Sequence, residues 1–172
     1  VPRIIVVGIF NTGLKRYSEY LPNRPIESVK KGIEFADEWA QKSIEASGGI
    51  KSDSLLMFIV EELKPYIDKK YKTKKGKENT FLAGSSMGGL LSAYAICEYP
   101  HIFGKAACIS THWPALDGVF IEYLKDHIPD SRSHKIYFDY GTEGLDQYYE
   151  PYQRVVDSIM ISNGYEKNLN WL

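Results

Sequence analysis

The order of hydrophobic and polar residues along the chain predicts strands that alternate with helices. Short runs rich in β-branched and aromatic residues, which are typical of strands, occupy residues 4–10, 80–83, 105–110 and 134–140. Apolar stripes or stretches of helical length predict helices at residues 27–46, 54–71, 89–99, 116–127 and 150–162. The last residues, 168–172, could open one more strand. This alternation predicts an α/β fold with a mostly parallel sheet and helices on both faces.

The two long helices in the first half of the chain each have one apolar stripe. In the first helix the stripe comprises Val29, Ile33, Ala36, Ala40 and Ile44. In the second it comprises Leu55, Ile59, Leu63 and Ile67. Pro65 lies inside the second helix and predicts a kink. The run at residues 4–10 is uniform enough to predict a strand buried on both faces, and we find no linker, so residues 1–172 are expected to form one domain.

Composition and charge exclude several classes of protein. The chain has 172 residues, and 44% of them are hydrophobic. Its net charge is −1, so no overall positive electrostatic potential attracts nucleic acid or an anionic membrane. A cluster of six lysines between residues 69 and 77 lacks an aromatic platform and is interpreted as a solvated loop. No apolar run is long enough to cross a membrane. Nucleic acid and membranes are therefore not expected as partners, and the oligomeric state stays open.

The two cysteines, Cys97 and Cys108, lie in apolar runs, where a free thiol behaves as a small hydrophobic group. They provide neither a disulfide framework nor the spacing of metal ligands. No signal peptide is visible, but the chain begins with Val1-Pro2 instead of methionine, which suggests a trimmed N-terminus. The compartment, cytoplasmic or secreted, is therefore left open.

The stretch from Gly84 to Gly88 matches the pattern G-x-S-x-G, with Ser86 at its centre. A serine at a sharp turn from a strand into a helix takes a strained backbone conformation, and its hydroxyl projects from the edge of the sheet. Strand and helix nearly touch at such a turn, which favours small residues at Gly84 and Gly88. Free amides at the start of the helix can stabilise an oxyanion, and the Met87 amide is the expected donor. Ser86 is therefore predicted to be a nucleophile.

Two other interpretations of this turn are weaker. Ser85 has no glycine two positions before it, so it fits the pattern less well. A turn rich in glycine and serine could also merely connect a strand to a helix. The strand before the turn and the apolar helix after it are, however, the context in which the pattern indicates a nucleophile.

A longer stretch, GSSMGGLLSAYAICEYPHIFGKAACIS at residues 84–110, resembles the core of a group of esterases with the α/β-hydrolase fold. The group includes feruloyl and acetyl-xylan esterases, esterase D, and the siderophore esterases that open enterobactin. The segments FIVEELKPYIDKKY and IIVVGIFN resemble the same group, so the resemblance covers residues 4–172. It implies an α/β-hydrolase fold and hydrolysis of a sugar-linked or other small ester through an acyl-enzyme. It implies neither a metal nor an organic cofactor.

The resemblance also implies a catalytic triad in the order serine, acid, histidine, with the acid in the turn after the strand at residues 134–140. Counting back from the following helix favours Asp146, and counting forward from Gly141 favours Glu143. Asp146 is the first choice and Glu143 the second, because the helix fixes the register better than a loop of variable length. Asp139 lies inside the strand and is predicted to be structural, paired with a neighbouring loop. Alternatively, Asp146 only stabilises the dipole of the helix that it precedes.

The chain lacks a histidine where the triad needs its base. All four histidines precede the acid turn: His101, His112, His127 and His134. The strand and loop that supply the second oxyanion amide in the resembling family would lie before residue 4. We therefore expect a central fragment of the fold, incomplete at both ends and inactive on its own.

Aromatic residues near these turns are candidates for the wall of the substrate pocket. His112 is the histidine whose loop could approach the site, and Trp113 follows it directly. Tyr148 and Tyr149 follow the acid turn. Such side chains suit a sugar ester or a phenolic acyl group, although ordinary surface packing explains them equally well.

Two other functions remain open from the sequence. One is a non-catalytic binding or scaffold domain that keeps the esterase fold, which the absent histidine would favour. The other is a thioesterase or peptidase on the same fold, because fold and nucleophile do not choose the acyl donor.

Overall fold

A three-stranded parallel sheet forms the centre of the computed structural model, which describes residues 3–28 and 38–172. Its strands are β1 (Phe81–Ser85), β2 (Lys105–Ile109) and β3 (Lys135–Phe138), and they lie side by side in chain order. Ser85 is opposite Ile109 in the register. The three strands predicted in this part of the chain and their parallel arrangement are therefore confirmed.

Eight α-helices lie in the described residues: α1 (Arg16–Tyr20), α2 (Asn23–Ser28), α3 (Glu38–Ser47), α4 (Ser52–Met57), α5 (Lys64–Lys70), α6 (Met87–Glu98), α7 (Val119–His127) and α8 (Glu150–Ser162). Helix α8 has the bounds that the sequence predicts. In the stripe predicted for the first long helix, Ala40 is buried and Ile44 half-buried, whereas Val29, Ile33 and Ala36 lie outside the described residues.

A π-helical segment, Phe58–Leu63, joins α4 to α5 where the sequence predicts a kink. Pro65 lies at the start of α5. Proline has no backbone N–H, and its ring clashes with the carbonyl four residues earlier. A wider turn ahead of the proline relieves that clash without ending the helix. Of the predicted stripe, Ile59 is buried and the other three residues are half-buried.

Helix α6 is the centre of the core. It packs against β1 and β2 on one side and against α1 and α7 on the other. Because it is enclosed on all sides, its residues are apolar all round, and Leu90, Ala95 and Ile96 are fully buried. This enclosed helix fixes the position of the turn that leads into it.

Residues 4–10 do not form the predicted strand. They have no ladder partner and are exposed, with Phe10 96% exposed. A cavity of about 710 Å³ separates most of this run from β1. A strand needs a neighbour for its backbone N–H and C=O groups, and hydrophobicity alone does not provide one. The prediction of a strand buried on both faces is therefore wrong for the described structure.

The two faces of the sheet differ in burial. On the face that α6 covers, Cys108, Ile136 and Phe138 are buried. On the opposite face, Phe81 and Tyr137 are partly exposed beside a cavity of about 340 Å³. In the described part of the chain, the expected helical cover is thus present on one face.

The last residues of the chain pair with the outer edge of β3. The Ile136 amide donates to the Asn170 carbonyl (3.0 Å), the Leu172 amide to the Ile136 carbonyl (3.1 Å), and the Phe138 amide to the Leu172 carbonyl (2.8 Å). These bonds follow the pattern of a parallel ladder. The further strand expected at residues 168–172 is therefore only partly formed, as a parallel bridge between Trp171 and Ile136.

Candidate active site

Ser86 occupies the sharp turn between β1 and α6. Its backbone has φ 58° and ψ −119°, a conformation that residues other than glycine rarely adopt. The Ser86 amide donates to the Ile109 carbonyl (2.9 Å), and the Ser86 carbonyl accepts from the amides of Leu90 (3.1 Å) and His112 (3.3 Å). The turn is therefore held on both sides, by the end of β2 and by the first turn of α6.

Glycine at position 84 is required because strand and helix meet there. A Cβ atom on Gly84 would lie 2.3 Å from the Gly88 carbonyl oxygen. The expectation that Gly88 is equally constrained is wrong, since a Cβ atom there meets nothing within 4 Å. Gly89 is tighter, because its Cβ would lie 3.0 Å from both the Ile109 carbonyl and the Thr111 hydroxyl.

We predict that Gly84→Ala destabilises the chain by about 2–4 kcal/mol, because the added methyl group must push the backbone of α6 away from β1. The matched control is Gly88→Ala, whose methyl group enters open space and whose effect should stay within about 1 kcal/mol. Urea unfolding followed by circular dichroism measures both values. Equal stabilities of the two variants would contradict this account of the turn.

The start of α6 can bind an anion. Met87 is the first residue of the helix, and the first-turn amides of an α-helix have no helical partner. The first turn contains no acidic residue. The Met87 side chain is buried, so its backbone amide, beside Ser86, is what this residue can offer to a substrate.

The hydroxyl of Tyr149 contacts His112, whose loop lies against the turn at Ser86. It lies 2.7 Å from His112 Nδ1. The two rings also meet edge to face, with centroids 5.7 Å apart. Tyr149 is 2% exposed. Burial raises its pKa, and the charge of Asp146 raises it further.

The first-choice acid, Asp146, lies in a short 3₁₀ helix, Gly144–Tyr148, at the carboxyl edge of the sheet. Its Oδ2 accepts from the Ser110 hydroxyl (2.7 Å) and from the Gly141 amide (2.7 Å). Ser110 follows β2 directly, as Ser86 follows the neighbouring β1. The structure thus brings this carboxylate to the same sheet edge as Ser86.

The other two carboxylates of this region have different surroundings. Asp139 Oδ1 accepts from the Ser110 amide (2.7 Å), and Oδ2 accepts from the Tyr137 hydroxyl (2.8 Å). Asp139 thus pairs with the loop after β2, as predicted, although β3 ends one residue before it and not beyond it. The second-choice acid, Glu143, is exposed at the residue before the 3₁₀ helix.

The structure places the predicted pocket residues in three different environments. The backbone of His112 contacts the turn at Ser86, as its loop suggested. Trp113, however, is 1% exposed, donates from Nε1 to Gln153 Oε1 (2.8 Å), and stacks on Phe120. Its predicted role in the pocket wall is therefore wrong, because the large apolar ring packs into the core. Tyr148 is 62% exposed at the surface.

A family model described as "Putative esterase" matches residues 24–158. The chain belongs to this esterase family. The prediction from the elbow and its flanking segments is therefore confirmed at the level of the family.

Relatives with known sequences include both characterised and uncharacterised proteins. The esterase chain is 28% identical over 133 residues to the uncharacterized protein YjcH of Bacillus subtilis, a match that covers 77% of this chain and 54% of YjcH. It is 31% identical over 91 residues to an endo-1,4-beta-xylanase/feruloyl esterase of Xylanibacter ruminicola, covering 53% of this chain and 11% of that protein. The chain thus spans about half the length of YjcH.

Solved structures with a similar fold are also esterases. The enterobactin esterase of Shigella flexneri matches with a TM-score of 0.56 and 21% identity, covering 68% of this chain and 31% of that one. A ferulic acid esterase matches with a TM-score of 0.50 and 18% identity, covering 64% and 49% of the two chains. These matches, with the parallel sheet and its helices, confirm the predicted α/β-hydrolase fold.

The other three histidines of the chain have structural surroundings. His134 is buried, with Nε2 2.8 Å from the Pro100 carbonyl and Nδ1 3.0 Å from the Asp130 carbonyl. His127 stacks on Tyr123 at the end of α7. His101 is exposed beside Tyr99. Among the described residues, His112 is therefore the histidine that contacts Ser86, through its backbone amide.

Within residues 3–28 and 38–172, no three side chains of His, Cys, Asp or Glu gather closely enough to hold a metal ion. Every helix there is too short or too polar to span a lipid bilayer. Cys97 and Cys108 are free and buried, and burial raises the pKa of both thiols.

Proposed function

We propose that this chain carries the nucleophile of a serine carboxylic-ester hydrolase that acts through an acyl-enzyme. The observation that carries the proposal is the conformation of Ser86, a strained residue between a parallel strand and an enclosed helix. Strain of this kind persists only where surrounding contacts impose it, and it is typical of functional sites. Membership of the esterase family supports the same reaction.

In the proposed reaction the Ser86 hydroxyl attacks the ester carbonyl and forms a tetrahedral intermediate. The Met87 amide, at the positive end of the α6 dipole, stabilises the oxyanion. Loss of the alcohol leaves an acyl group on Ser86, which water then removes. Preorganised donors of this kind need no reorganisation as the charge develops, which is why they accelerate the reaction.

Asp146 is the proposed triad acid, with Glu143 as the second choice. Two hydrogen-bond donors, the Ser110 hydroxyl and the Gly141 amide, hold the Asp146 carboxylate at the edge where Ser86 lies. Ionised oxygens that accept such bonds are well placed to orient an imidazole and to stabilise its charged form. The exposed Glu143 has no comparable support among the described residues.

We propose further that the histidine that takes the Ser86 proton is not one of the four in residues 1–172. His112 Nδ1 lies 2.7 Å from the Tyr149 hydroxyl. The other three histidines bind backbone carbonyls or lie at the surface. In the order of this fold, the base follows the acid along the chain.

The proposed substrates are small carboxylic esters, including sugar-linked esters. Support comes from two similar proteins, an endo-1,4-beta-xylanase/feruloyl esterase and an enterobactin esterase, both of which act on esters. The buried position of Trp113 removes it from this argument. Tyr148, exposed beside the acid turn, remains available for an aromatic or sugar ring.

Labelling with a fluorophosphonate tests the proposal. The complete gene product should take up one equivalent of the reagent, and peptide mass spectrometry should find it on Ser86. Prior incubation with the reagent should remove hydrolysis of p-nitrophenyl acetate in proportion to the labelled fraction. Full activity after complete labelling, or a label on Ser85, would overturn the assignment of the nucleophile.

A further inference from the structure

Two neighbouring strands of the sheet are each followed by a serine with a strained backbone. Ser85 and Ile109 are opposite each other at the ends of β1 and β2, so the residues that follow them, Ser86 and Ser110, leave the sheet side by side. The Ser110 backbone has φ 43°, in the left-handed region that residues other than glycine rarely adopt. Such strain persists where surrounding contacts impose it, and it is typical of functional sites.

The Ser110 backbone is held from the end of β3. Its amide donates to Asp139 Oδ1 (2.7 Å), and Asp139 Oδ2 accepts from the Tyr137 hydroxyl (2.8 Å). A hydrogen bond to an ionised carboxylate is stronger than one between neutral groups. Asp139 can therefore keep Ser110 in its left-handed conformation, and this conformation sets the direction of the Ser110 side chain.

The Ser110 hydroxyl is directed at the proposed triad acid. It donates to Asp146 Oδ2 (2.7 Å), and the Gly141 amide donates to the same oxygen (2.7 Å). A carboxylate oxygen has about two lone-pair sites, so these two donors fill Oδ2. Both hydrogen bonds that the described residues make to this carboxylate thus fall on one oxygen. Oδ1 is the oxygen that is left to accept the N–H of an imidazole.

We propose that Ser110 is a positioning residue for the triad acid, because its hydroxyl turns the Asp146 carboxylate so that Oδ1 faces the histidine base. This inference rests on the proposed function, in which Asp146 orients and stabilises that imidazole. Ser110 acts through Asp146 and transfers no proton itself. Two donors on one oxygen stop the carboxylate from rotating, and such a rigid support keeps a catalytic group within the narrow geometry that the reaction requires.

The test compares kcat and KM for p-nitrophenyl acetate among variants of the complete gene product. Ser110→Gly and Ser110→Ala both remove the hydroxyl, and each should lower kcat by roughly ten- to a hundredfold with KM unchanged, as expected when a catalytic group is slightly misplaced. The two variants differ in the backbone, because glycine adopts a positive φ without strain and alanine does not. Ser110→Gly should therefore be the more stable of the two in urea unfolding, although both are equally slow.

Ser110→Thr is the matched control, because it keeps the hydroxyl. A residue branched at Cβ is unfavourable at positive φ, so this variant should be less stable than Ser110→Gly. Its kcat should nevertheless stay within about fivefold of the wild-type value, because the donor to Asp146 is retained. A purely structural role would make activity follow stability. A fast Ser110→Gly variant beside a slow Ser110→Thr variant would therefore overturn the inference.

The loss of activity should also depend on Asp146. If Ser110 acts through that carboxylate alone, adding Ser110→Gly to Asp146→Asn should lower kcat by less than about threefold relative to Asp146→Asn itself. Losses that multiply would overturn the inference. Should Ser110→Thr fail to fold, this double variant and Ser110→Gly alone decide the question.

Three outcomes distinguish failure of this inference from failure of the proposed function. Wild-type activity in Ser86→Ala would remove the serine mechanism and the role of Ser110 together. A slow Ser86→Ala variant with wild-type activity in Asp146→Asn would overturn the assignment of the acid, and the role of Ser110 with it. Large losses in both of these variants, combined with a wild-type rate in Ser110→Gly, would leave the triad assignment intact and overturn the positioning role alone.

Discussion

Replacing Ser86 by alanine in the complete gene product is expected to lower kcat for p-nitrophenyl acetate by about 10⁴- to 10⁶-fold, the loss seen when a serine nucleophile is removed. The proposed acyl-enzyme cannot form without the hydroxyl, so only binding and the oxyanion donors would still contribute. The steady-state rate of p-nitrophenolate release, followed by absorbance, measures the change in kcat. The fold should survive, because alanine needs no more space than serine at this turn.

Ser85→Ala is the matched control, since it removes a neighbouring hydroxyl from the last residue of β1, which is exposed. We expect its kcat to stay within about threefold of the wild-type value, as for surface changes outside the machinery. Equal rates for Ser86→Ala and the wild type would end the serine esterase proposal. A larger loss in Ser85→Ala than in Ser86→Ala would move the nucleophile by one residue.

Asp146→Asn is expected to lower kcat by about 10³- to 10⁴-fold, comparable to the loss of the acid in other triads. Asparagine has nearly the same shape and keeps an oxygen for the Ser110 and Gly141 donors. It cannot, however, stabilise a charged imidazole. The same p-nitrophenyl acetate assay measures the effect, and urea unfolding separates it from lost stability.

Glu143→Gln is the matched control for the acid, because Glu143 was the second choice from the sequence. As an exposed residue, it should change kcat by less than about threefold. A reversed ranking of the two variants would assign the acid to Glu143. If Asp146→Asn lost stability but not activity, its carboxylate would serve only to tie the Ser110 and Gly141 loops together.

The features that the sequence predicts well are those set by neighbours along the chain. The elbow depends on Gly84, Ser86 and the apolar helix that follows, all within a few residues of one another. Helix α8 likewise has an apolar stripe and an Asn163-Gly164 end that fix its bounds locally. Local signals of this kind need no knowledge of which distant segments meet.

The features that the sequence misses depend on contacts between distant segments. Nothing in the residues around Trp113 shows that Gln153 and Phe120 will enclose it. The run at residues 4–10 has the composition of a buried strand but has no strand beside it in the described structure. Tyr149 and the adjacent Tyr148 look alike in the sequence, yet only Tyr149 is buried, with its hydroxyl on His112 Nδ1.

The acid turn is an intermediate case. The sequence leaves Asp146 and Glu143 open, because a loop of variable length does not fix which side chain faces the sheet edge. The structure adds the bonds from Ser110 and Gly141 to Asp146. The Asp146 side chain closes the turn by accepting a hydrogen bond from the Gly141 amide, five residues earlier. Whether a side chain can do so depends on the loop conformation, which residue types alone do not specify.

The central claim is that Ser86 becomes acylated, and the most direct measurement is the mass of the reaction intermediate. The complete gene product, mixed with p-nitrophenyl acetate and quenched in acid within the first turnover, should release one equivalent of p-nitrophenol in a burst. Its peptide containing Ser86 should then carry one acetyl group. An unmodified Ser86 at the end of a full burst, or acetyl found on another residue, would contradict the account.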